Sequence, residues 1–526
     1  MKQKWFDRCF NVPQIILAVI FIPVLLGVYF VGNKAPYIEY LKIDNAIPNW
    51  GMFLMIIPLM AVILFVSKKA EKKPLSSKVS LIISAVIVAL FVGLYFLNLW
   101  IAREIAFHLP WDVSVVSGAA WNYAIGEPMG QDSYFSVYSN NIPIVYVLGK
   151  IYSFAAKHAA TYPYPTDFIW IQVNCIMFSV AGIFTCFSVK KLTDNVVAEI
   201  LTFFIYVALV GISPWKIEPY TDAYGLVFPI ASLYFYLSYR KSERKWVKCV
   251  CLVLSMLIAA VGGFIKPNLH IFVIAIVVVE LIRFLADIKG RWLYAVIMVL
   301  MIPVLIFGVK AGKNAVVREL GAEINKEVGF DWHHYFFMGQ NPDTTGSYSV
   351  EDVQMLGKHQ HSKAERIEVE KQLSIERLRE KGFFGNLKFW WTKLVMTFND
   401  GTFGWEVEVW HDSEFPDSLA TQTFWTVRLR GIFWGENSNS DLYTGGVHFI
   451  WLLCLFGIPG LCIERKKERP GLILTLSLLG LILYQMLFEA RARYLFAFIP
   501  VIVVASVYGM MNYVSILEKK KGNLKK

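Results

Sequence analysis

The residues whose types and spacing best suit chemistry lie in 110–150, PWDVSVVSGAAWNYAIGEPMGQDSYFSVYSNNIPIVYVLGK. Asp112 opens a short helix-like run. A polar loop rich in Tyr, Ser and Asn follows over 132–141, and apolar sequence resumes at Ile142. A carboxylate held at a membrane surface beside such a loop is suited to taking a proton from a hydroxyl group. An acid at the start of a helix also serves as a cap, and this stretch alone leaves both roles open.

Other ionisable residues interrupt apolar sequence, where desolvation is costly unless something offsets it. Lys266 sits between Ile265 and Pro267 at the end of an apolar run. It either serves a site or snorkels to the interface. Arg491 and Arg493 precede a late apolar run, and guanidinium groups suit bidentate phosphate recognition. Their other reading is an anchor at the interface or a pair with Glu489. Asp222, in PYTD, is placed to be a first-turn acid. His333 and His334 are adjacent and lack helical i,i+4 spacing, so no metal site is expected there; His359 and His361 read as a solvated face. Glu406-x-Glu408 is the nearest carboxylate pair in the polar block, and it also suits an exposed strand edge. Phosphate-loop, dinucleotide-binding, H-E-x-x-H and G-x-S-x-G patterns are all missing, as is D-x-D.

The elements that position these residues follow from composition. The 526 residues are 56% hydrophobic and only 17% charged, with mean hydropathy +0.49, which excludes an ordinary soluble domain. Apolar runs long enough to cross a bilayer recur at roughly 13–32, 50–67, 80–100, 168–188, 196–212, 222–240, 247–264, 267–285, 292–308, 446–463, 470–488 and 494–514. The expected fold is an all-α polytopic membrane protein of about twelve transmembrane helices. A re-entrant or interfacial helix and a mixed extracytoplasmic domain complete it. The first run has no small-residue cleavage site after it and reads as a retained span. The seven cysteines, Cys9, Cys175, Cys186, Cys249, Cys251, Cys454 and Cys462, lie in or beside apolar runs and read as small core hydrophobes.

Net charge is +11, but the block 310–445 holds fifteen basic and twenty acidic residues, so the excess lies elsewhere. It clusters in short loops: Lys68, Lys69, Lys72, Lys73 and Lys78; Lys190 and Lys191; Arg240, Lys241, Arg244, Lys245 and Lys248; Lys289 and Arg291; Arg465, Lys466, Lys467 and Arg469; and the tail from Lys519 to Lys526. That is an orientation signal, not a nucleic-acid footprint. It puts these loops and both termini in the cytoplasm. Asp112, 213–225, 262–268, 310–445 and 488–494 then all lie outside. The run 142–158 cannot also cross, because the loop at 190 would then face outward. It is expected to dip into the protein or lie along the interface.

Three units follow: 1–309, a transmembrane module whose first outer loop, 101–141, carries the acid; 310–445, an extracytoplasmic domain; and 446–526, a three-helix segment. In the middle unit, 351–382 has helical spacing with Gly382 as its stop. Residues 383–398, with Trp390, Trp391, Lys388 and Lys393, read as an interfacial amphipathic helix.

The early outer acid Asp112, the run YSNNIPIVYVLGK, the PYTD and IKP segments and the late EARARY occur in that order on one predicted side. The set resembles the glycosyltransferase C superfamily of polytopic membrane enzymes. It is particularly similar to the bacterial branch related to protein O-mannosyltransferases and aminoarabinose transferases, and HHYFFMGQNP with Gly346 and Asp352 is similar to uncharacterised Gram-positive members. The resemblance spans nearly the whole chain.

It implies transfer of a sugar from a polyprenyl-phosphate donor to an extracytoplasmic acceptor, whether an envelope polymer, a glycolipid or a protein. Asp112 takes the role of base or acceptor-orienting acid. Lys266, Arg491 and Arg493 meet the donor phosphate. Tyr138, Asn140, Asn141, Tyr220 and Asp222 line the pocket. No cofactor is expected. Members often carry a second acid beside the first, but Val113 follows Asp112 here and Glu104 is eight residues earlier, which leaves metal assistance without support. The alternatives are a lipid-linked glycan ligase or polymerase, and a transporter or flippase for envelope precursors.

Overall fold

The computed structural model describes residues 2–32, 47–72, 75–107, 109–358, 362–405, 423–435, 438–464 and 468–523. His359, His361, Glu406, Glu408, Lys73, Lys525, Lys526 and the basic run 465–467 fall outside them. Among the described residues every element is a helix. In chain order these are α1 (Lys2–Phe30), α2 (Asn49–Lys72), α3 (Ser77–Ile105), α4 (Asp112–Ala124), α5 (Asp132–Val137), α6 (Ile142–Lys157), α7 (Phe168–Thr193), α8 (Val196–Tyr206), α9 (Thr221–Gly225), α10 (Val227–Lys241) and α11 (Lys245–Ile265). There follow α12 (His270–Ala286), α13 (Ile288–Glu319), α14 (Trp332–Gly339), α15 (Val350–Lys358), α16 (Lys363–Phe398), α17 (Phe424–Phe433), α18 (Ser438–Gly457), α19 (Leu472–Leu487), α20 (Arg493–Phe496) and α21 (Ile499–Asn523).

Eight helices are long and apolar enough to cross a membrane, and three shorter apolar ones join them: Val196–Gly211, Leu472–Leu487 and Ile499–Ser515. The protein is an all-α, multi-pass membrane protein. The expected span 222–240 is not among these eleven. Its sequence breaks at Leu226 into α9 and α10, and α10 has only 15 residues, with Tyr and Ser on its faces. It still runs from the end of the bundle where Asp222 lies to the end where Arg240 meets the Glu468 carbonyl.

The last apolar helix is the axis of the packing. From Ile499 to Val514 nearly every α21 side chain is buried, against α7, α8, α18 and the short turn 458–463. Contact is closest where Gly509 faces Gly457 and Gly460, and a Cβ at any of the three would overlap backbone of its neighbour. Small residues of this kind let helices approach where no hydrophobic effect drives them together. By contrast, α13 buries only Met298 and Val316, and its exposed Val299, Leu300, Val304, Ile306 and Phe307 suit contact with lipid.

The bundle has two chemically different ends. At one, basic residues meet acids and carbonyls: Lys190 with Glu199, Lys241 with Asp194, Arg240 with Glu468 and Arg291 with Glu280. Local turns fix this end. Asp194, left-handed at φ 51, stops α7, and the Asn195 side chain caps α8 by accepting from the amides of Val197 and Ala198. The other end gathers 106–167, 212–222, 265–270 and 484–494.

Helix α3 rises from the basic end, where Lys190 reaches the Ser80 carbonyl, and α7 descends to it. The intervening 106–167 therefore starts and finishes at the far end, and α6 makes no crossing of its own. With 16 residues it spans roughly 24 Å, short of a ~30 Å hydrocarbon core. It packs as a hairpin on α4.

The boundaries drawn at 309/310 and 445/446 fall inside α13 and α18. The described residues of 310–445 form helices and turns, not the mixed elements expected. Gly382, at φ 60, breaks α16 where the sequence expects a stop. Phe383 and Phe384 beyond it are exposed, as an interfacial helix requires. From Thr392 to Phe398, however, the helix is buried, inserted against α1 and α19.

Single cysteines placed in a cysteine-free background test this topology. Glu127→Cys and Thr161→Cys, at exposed positions flanking α6, should react with an impermeant maleimide from the same side. Glu243→Cys and Lys289→Cys should react only from the other. Labelling of positions 127 and 161 from opposite sides would make α6 a span.

Candidate functional site

At the end of the bundle away from the basic loops, a cavity of about 820 Å³ is lined by residues from eight separated places in the chain, among them 111–113, 138–141, 220–222, 265–268, 330–338 and 484–494. Every site residue the sequence points to lies on its wall: Asp112, Tyr138, Asn140, Asn141, Tyr220, Asp222, Lys266, Arg491 and Arg493.

Asp112 is the first residue of α4. The cap position belongs to Trp111, which makes no side-chain cap bond, so the capping alternative for Asp112 is not what the backbone shows. Trp111 sits at φ 61, ψ −139, a conformation costly for a side-chain-bearing residue. That backbone turns the Asp112 carboxylate toward the cavity at a helix N-terminus, where negative charge is favoured.

The carboxylate accepts a hydrogen bond from Tyr134 (2.7 Å), and Tyr134 accepts one from the Asn141 amide (2.8 Å). The Asn141 carbonyl oxygen takes two donors, Tyr220 at 3.0 Å and Asn140 at 3.0 Å. Asn141 is thereby fixed in one orientation, and through Tyr134 it holds the acid. Burial, then the Asp112 charge, push the Tyr134 hydroxyl well above its usual range, so it stays protonated and donates. Burial does the same to Tyr220 and Tyr138. Beyond Asp112 an aromatic row continues: Tyr134 to Tyr138 (5.0 Å between centroids), Tyr138 to Phe330 (5.6 Å), and Phe330 stacked on His334 (3.6 Å).

The opposite wall is cationic. Lys266 is ion-paired with buried Asp222 and lies 5.3 Å from the Tyr494 ring centroid. Arg493 lies over the same ring at 5.5 Å, while Arg491 stands 4.0 Å from Glu489, which also accepts from Tyr494 (2.8 Å). The pair of Arg491 with Glu489 exists, Lys266 pairs with Asp222 instead of snorkelling, and all three basic residues line the cavity. Lys266 and Arg491 each have a carboxylate beside them, Asp222 and Glu489. The second Asp222 oxygen and both polar atoms of the Asn268 side chain have no hydrogen-bond partner among the described residues.

Two of the stretches that line the cavity are tied together by a clamp that the sequence did not disclose. Lys393, expected on an interfacial face, is fully buried and donates to the carbonyls of Gly339 (2.6 Å), Met486 (3.3 Å) and Phe488. Beside it the amides of Glu489 and Ala490 donate to the carbonyls of Tyr335 and Gly346, and the Gln340 amide donates to that of Leu487. Gly339 must be glycine, since a Cβ would overlap the Phe488 carbonyl. Burial pushes the Lys393 amine well below its usual range. Asp352 serves the same scaffold through a bidentate pair with Arg377 (2.7 and 3.0 Å).

Some residues stand apart from the site. Glu104, eight residues before Asp112, accepts from Thr423 and Thr426 at the start of α17 and does not reach the cavity. His333 bonds Asp331. Lining residues the sequence did not nominate are Asn268, Lys313, His334, Tyr335, Tyr348 and Tyr484. Asn268 follows IKP, and His334 and Tyr335 lie in HHYFFMGQNP, so these three had a signal. Among the described residues no three His, Cys, Asp or Glu side chains converge as a metal site.

Residues 10–513 match the model of a family described as conserved hypothetical integral membrane protein. No curated protein and no solved structure matches the chain.

Lys393→Met tests the clamp. Three carbonyls lose a donor, while the cost of burying an ammonium is relieved, so the expected destabilisation is roughly 2 kcal/mol. It should lower the unfolding temperature of the purified protein and expose the 486–491 loop to protease. An unchanged melting temperature would place the clamp elsewhere.

Proposed function

The chain belongs to the conserved hypothetical integral membrane protein family, and for it we propose transfer of a sugar from a polyprenyl-phosphate carrier to a hydroxyl or amine acceptor. The acceptor would be an extracytoplasmic envelope polymer, glycolipid or protein. One observation carries this reading: an acid on a fixed tyrosine–asparagine network faces a cationic wall across one cavity, at the end of a membrane bundle opposite the basic loops. Loops rich in Lys and Arg mark the cytoplasmic side, so the cavity opens outward and both termini lie in the cytoplasm.

In the proposed step the acceptor oxygen attacks the sugar C1 and gives its proton to Asp112. The bond from C1 to the phosphate oxygen breaks, and the carrier leaves as polyprenyl phosphate. The charge growing on that phosphate is met by Arg491 and Arg493, with Lys266 held near by Asp222. Cations aimed at developing charge are among the larger contributions to catalysis. Tyr134 and Asn141 hold the acid in place, so little reorganisation is needed at the moment of transfer. A cavity of about 490 Å³ shares Val113 with the first and lies behind α4, lined by Ser114, Ser117, Trp121, Tyr152 and Asp167. It supports an approach for the acceptor on the other side of the helix that Asp112 begins.

Asp112→Asn in purified protein, supplied with polyprenyl-phosphate sugars extracted from membranes of the source cell, should transfer at least roughly a hundredfold more slowly while still binding the carrier. Normal turnover would pass the role to another acid lining the cavity, Asp222 first. Wild type that consumes no lipid-linked sugar would instead favour transport of envelope precursors.

A further inference from the structure

We infer that Lys313 binds a lipid-borne phosphate in the main cavity, and that it answers the second negative charge which that phosphate gains when its bond to a sugar breaks. The inference rests on the reading that the cavity takes a phosphate carrier.

Lys313 belongs to α13, the helix that exposes Val304, Ile306 and Phe307 to lipid, but it is not on that face. Its neighbours Lys310, Ala311, Asn314 and Ala315 are exposed. Lys313 falls instead with Val309, Gly312, Val316 and Leu320, at three- and four-residue spacing, on the stripe turned to the protein. At Gly312 this stripe meets α11, where an added Cβ would lie 3.3 Å from the Phe264 ring. Phe264 is two residues before Lys266. Lys313 therefore joins the wall of the cavity on its cationic side.

The partners of the basic residues differ there. Lys266 has Asp222, Arg491 has Glu489, and Arg493 lies over the Tyr494 ring. Lys313 has no hydrogen bond, ion pair or ring contact among the described residues. Its charge couples to His270 at the start of α12, which offers no negative group. The residue is half-buried, and its nitrogen is accessible. An ammonium placed there costs free energy that nothing around it offsets. A lysine needed only as an interfacial anchor would point outward, as exposed Lys310 can one turn earlier.

A lone cation beside a polar cavity calls for an anion. The other face of α13 meets lipid, so an anion carried on a lipid can reach Lys313 while its chain stays against that helix. Charge then decides which form is held best. A phosphate that still carries the sugar is a diester with one negative charge. Once the bond to C1 breaks it is a monoester, with close to two at neutral pH. Asp222 and Glu489 already offset part of the charge on Lys266 and Arg491, whereas that of Lys313 is whole. Its flexible stem can follow the phosphate as the second charge appears. Lys313 thus favours the departing carrier over the arriving donor.

Binding to the full chain at about pH 8, above the second phosphate pKa of about 6, tests this with polyprenyl phosphate, its methyl diester and uncharged polyprenol. Lys313→Met should bind polyprenyl phosphate about tenfold more weakly and the methyl diester at most about threefold more weakly. Polyprenol should bind as it does to wild type. Lys310→Met should match wild type with all three lipids. Equal losses for monoester and diester, or the same loss in Lys310→Met, overturn the assignment. So does displacement of the lipid by an equal amount of inorganic phosphate, which would make the site one for the free ion. Ligand-free Lys313→Met should unfold at or above the wild-type temperature, because an unpaired charge is gone, and should gain less from added polyprenyl phosphate. A lower unfolding temperature without lipid would make Lys313 structural and overturn the assignment. Wild type that shows this dependence on Lys313 but transfers no sugar would keep the assignment and remove glycosyl transfer. Transfer with unaltered carrier binding in Lys313→Met would do the reverse.

Discussion

The buried ammonium of Lys393 is the contact on which the site depends. It joins three carbonyls from two places far apart in the chain, Gly339 on one side and Met486 and Phe488 on the other. Through them it ties the polar segment to the helices that close the bundle. The amide pairs between 335–347 and 487–490 add to the same seam. Arg491 and Arg493 follow directly after it, and His334 and Tyr335 directly precede it. Loss of the clamp would therefore release residues from two walls at once. A lysine suits this place because three donors on one nitrogen can satisfy three acceptors that converge from different directions.

The walls it holds in register differ in how their charges are held. Beyond the Trp111 turn, Asp112 is held by side chains that are all neutral, Tyr134 directly and Asn141, Tyr220 and Asn140 behind it. Its charge is oriented and remains uncompensated by any cation in that network. The cationic wall carries its own partners, Asp222 and Glu489. In the proposed transfer, a direct pair of Asp112 with Arg491 would remove both the base and the phosphate contact. Separate networks keep the two charges apart across the cavity while each avoids the full cost of burial.

Much of this was legible in the sequence, for identifiable reasons. Apolar length gave most of the helices, and short basic loops divided the chain between two ends, which sufficed to deny α6 a crossing. The same division brought Asp112, Asp222, Lys266, Arg491 and Arg493 to one end, and the structure gathers them around one cavity. What was not legible depends on contacts distant in sequence. Lys393 reads as interfacial because its neighbours Trp390, Trp391 and Lys388 do, and only the arrival of Gly339 and Phe488 makes it a core residue. His334 reads as one of an adjacent pair without spacing, since Glu370 lies 36 residues further on in another helix. The break at Leu226 also hid, because 222–240 is apolar on average while its tyrosines face neighbouring helices.

Trp111 adds a local argument that is independent of the resemblance. A tryptophan at φ 61 beside a helix start is strained, and no glycine stands there to relieve it. A helix that needed only a cap would use an extended residue with a side-chain acceptor, as α3 does with Ser76 and α16 with Ser362. At α4 the chain gives up that bond and keeps the strain. In exchange, Asp112 becomes the first helical residue with its carboxylate turned to Tyr134 and the cavity, while Val113 behind it walls both cavities. The conformation is costly for the fold and useful only for where it puts the acid, which is the pattern expected where backbone strain serves a site.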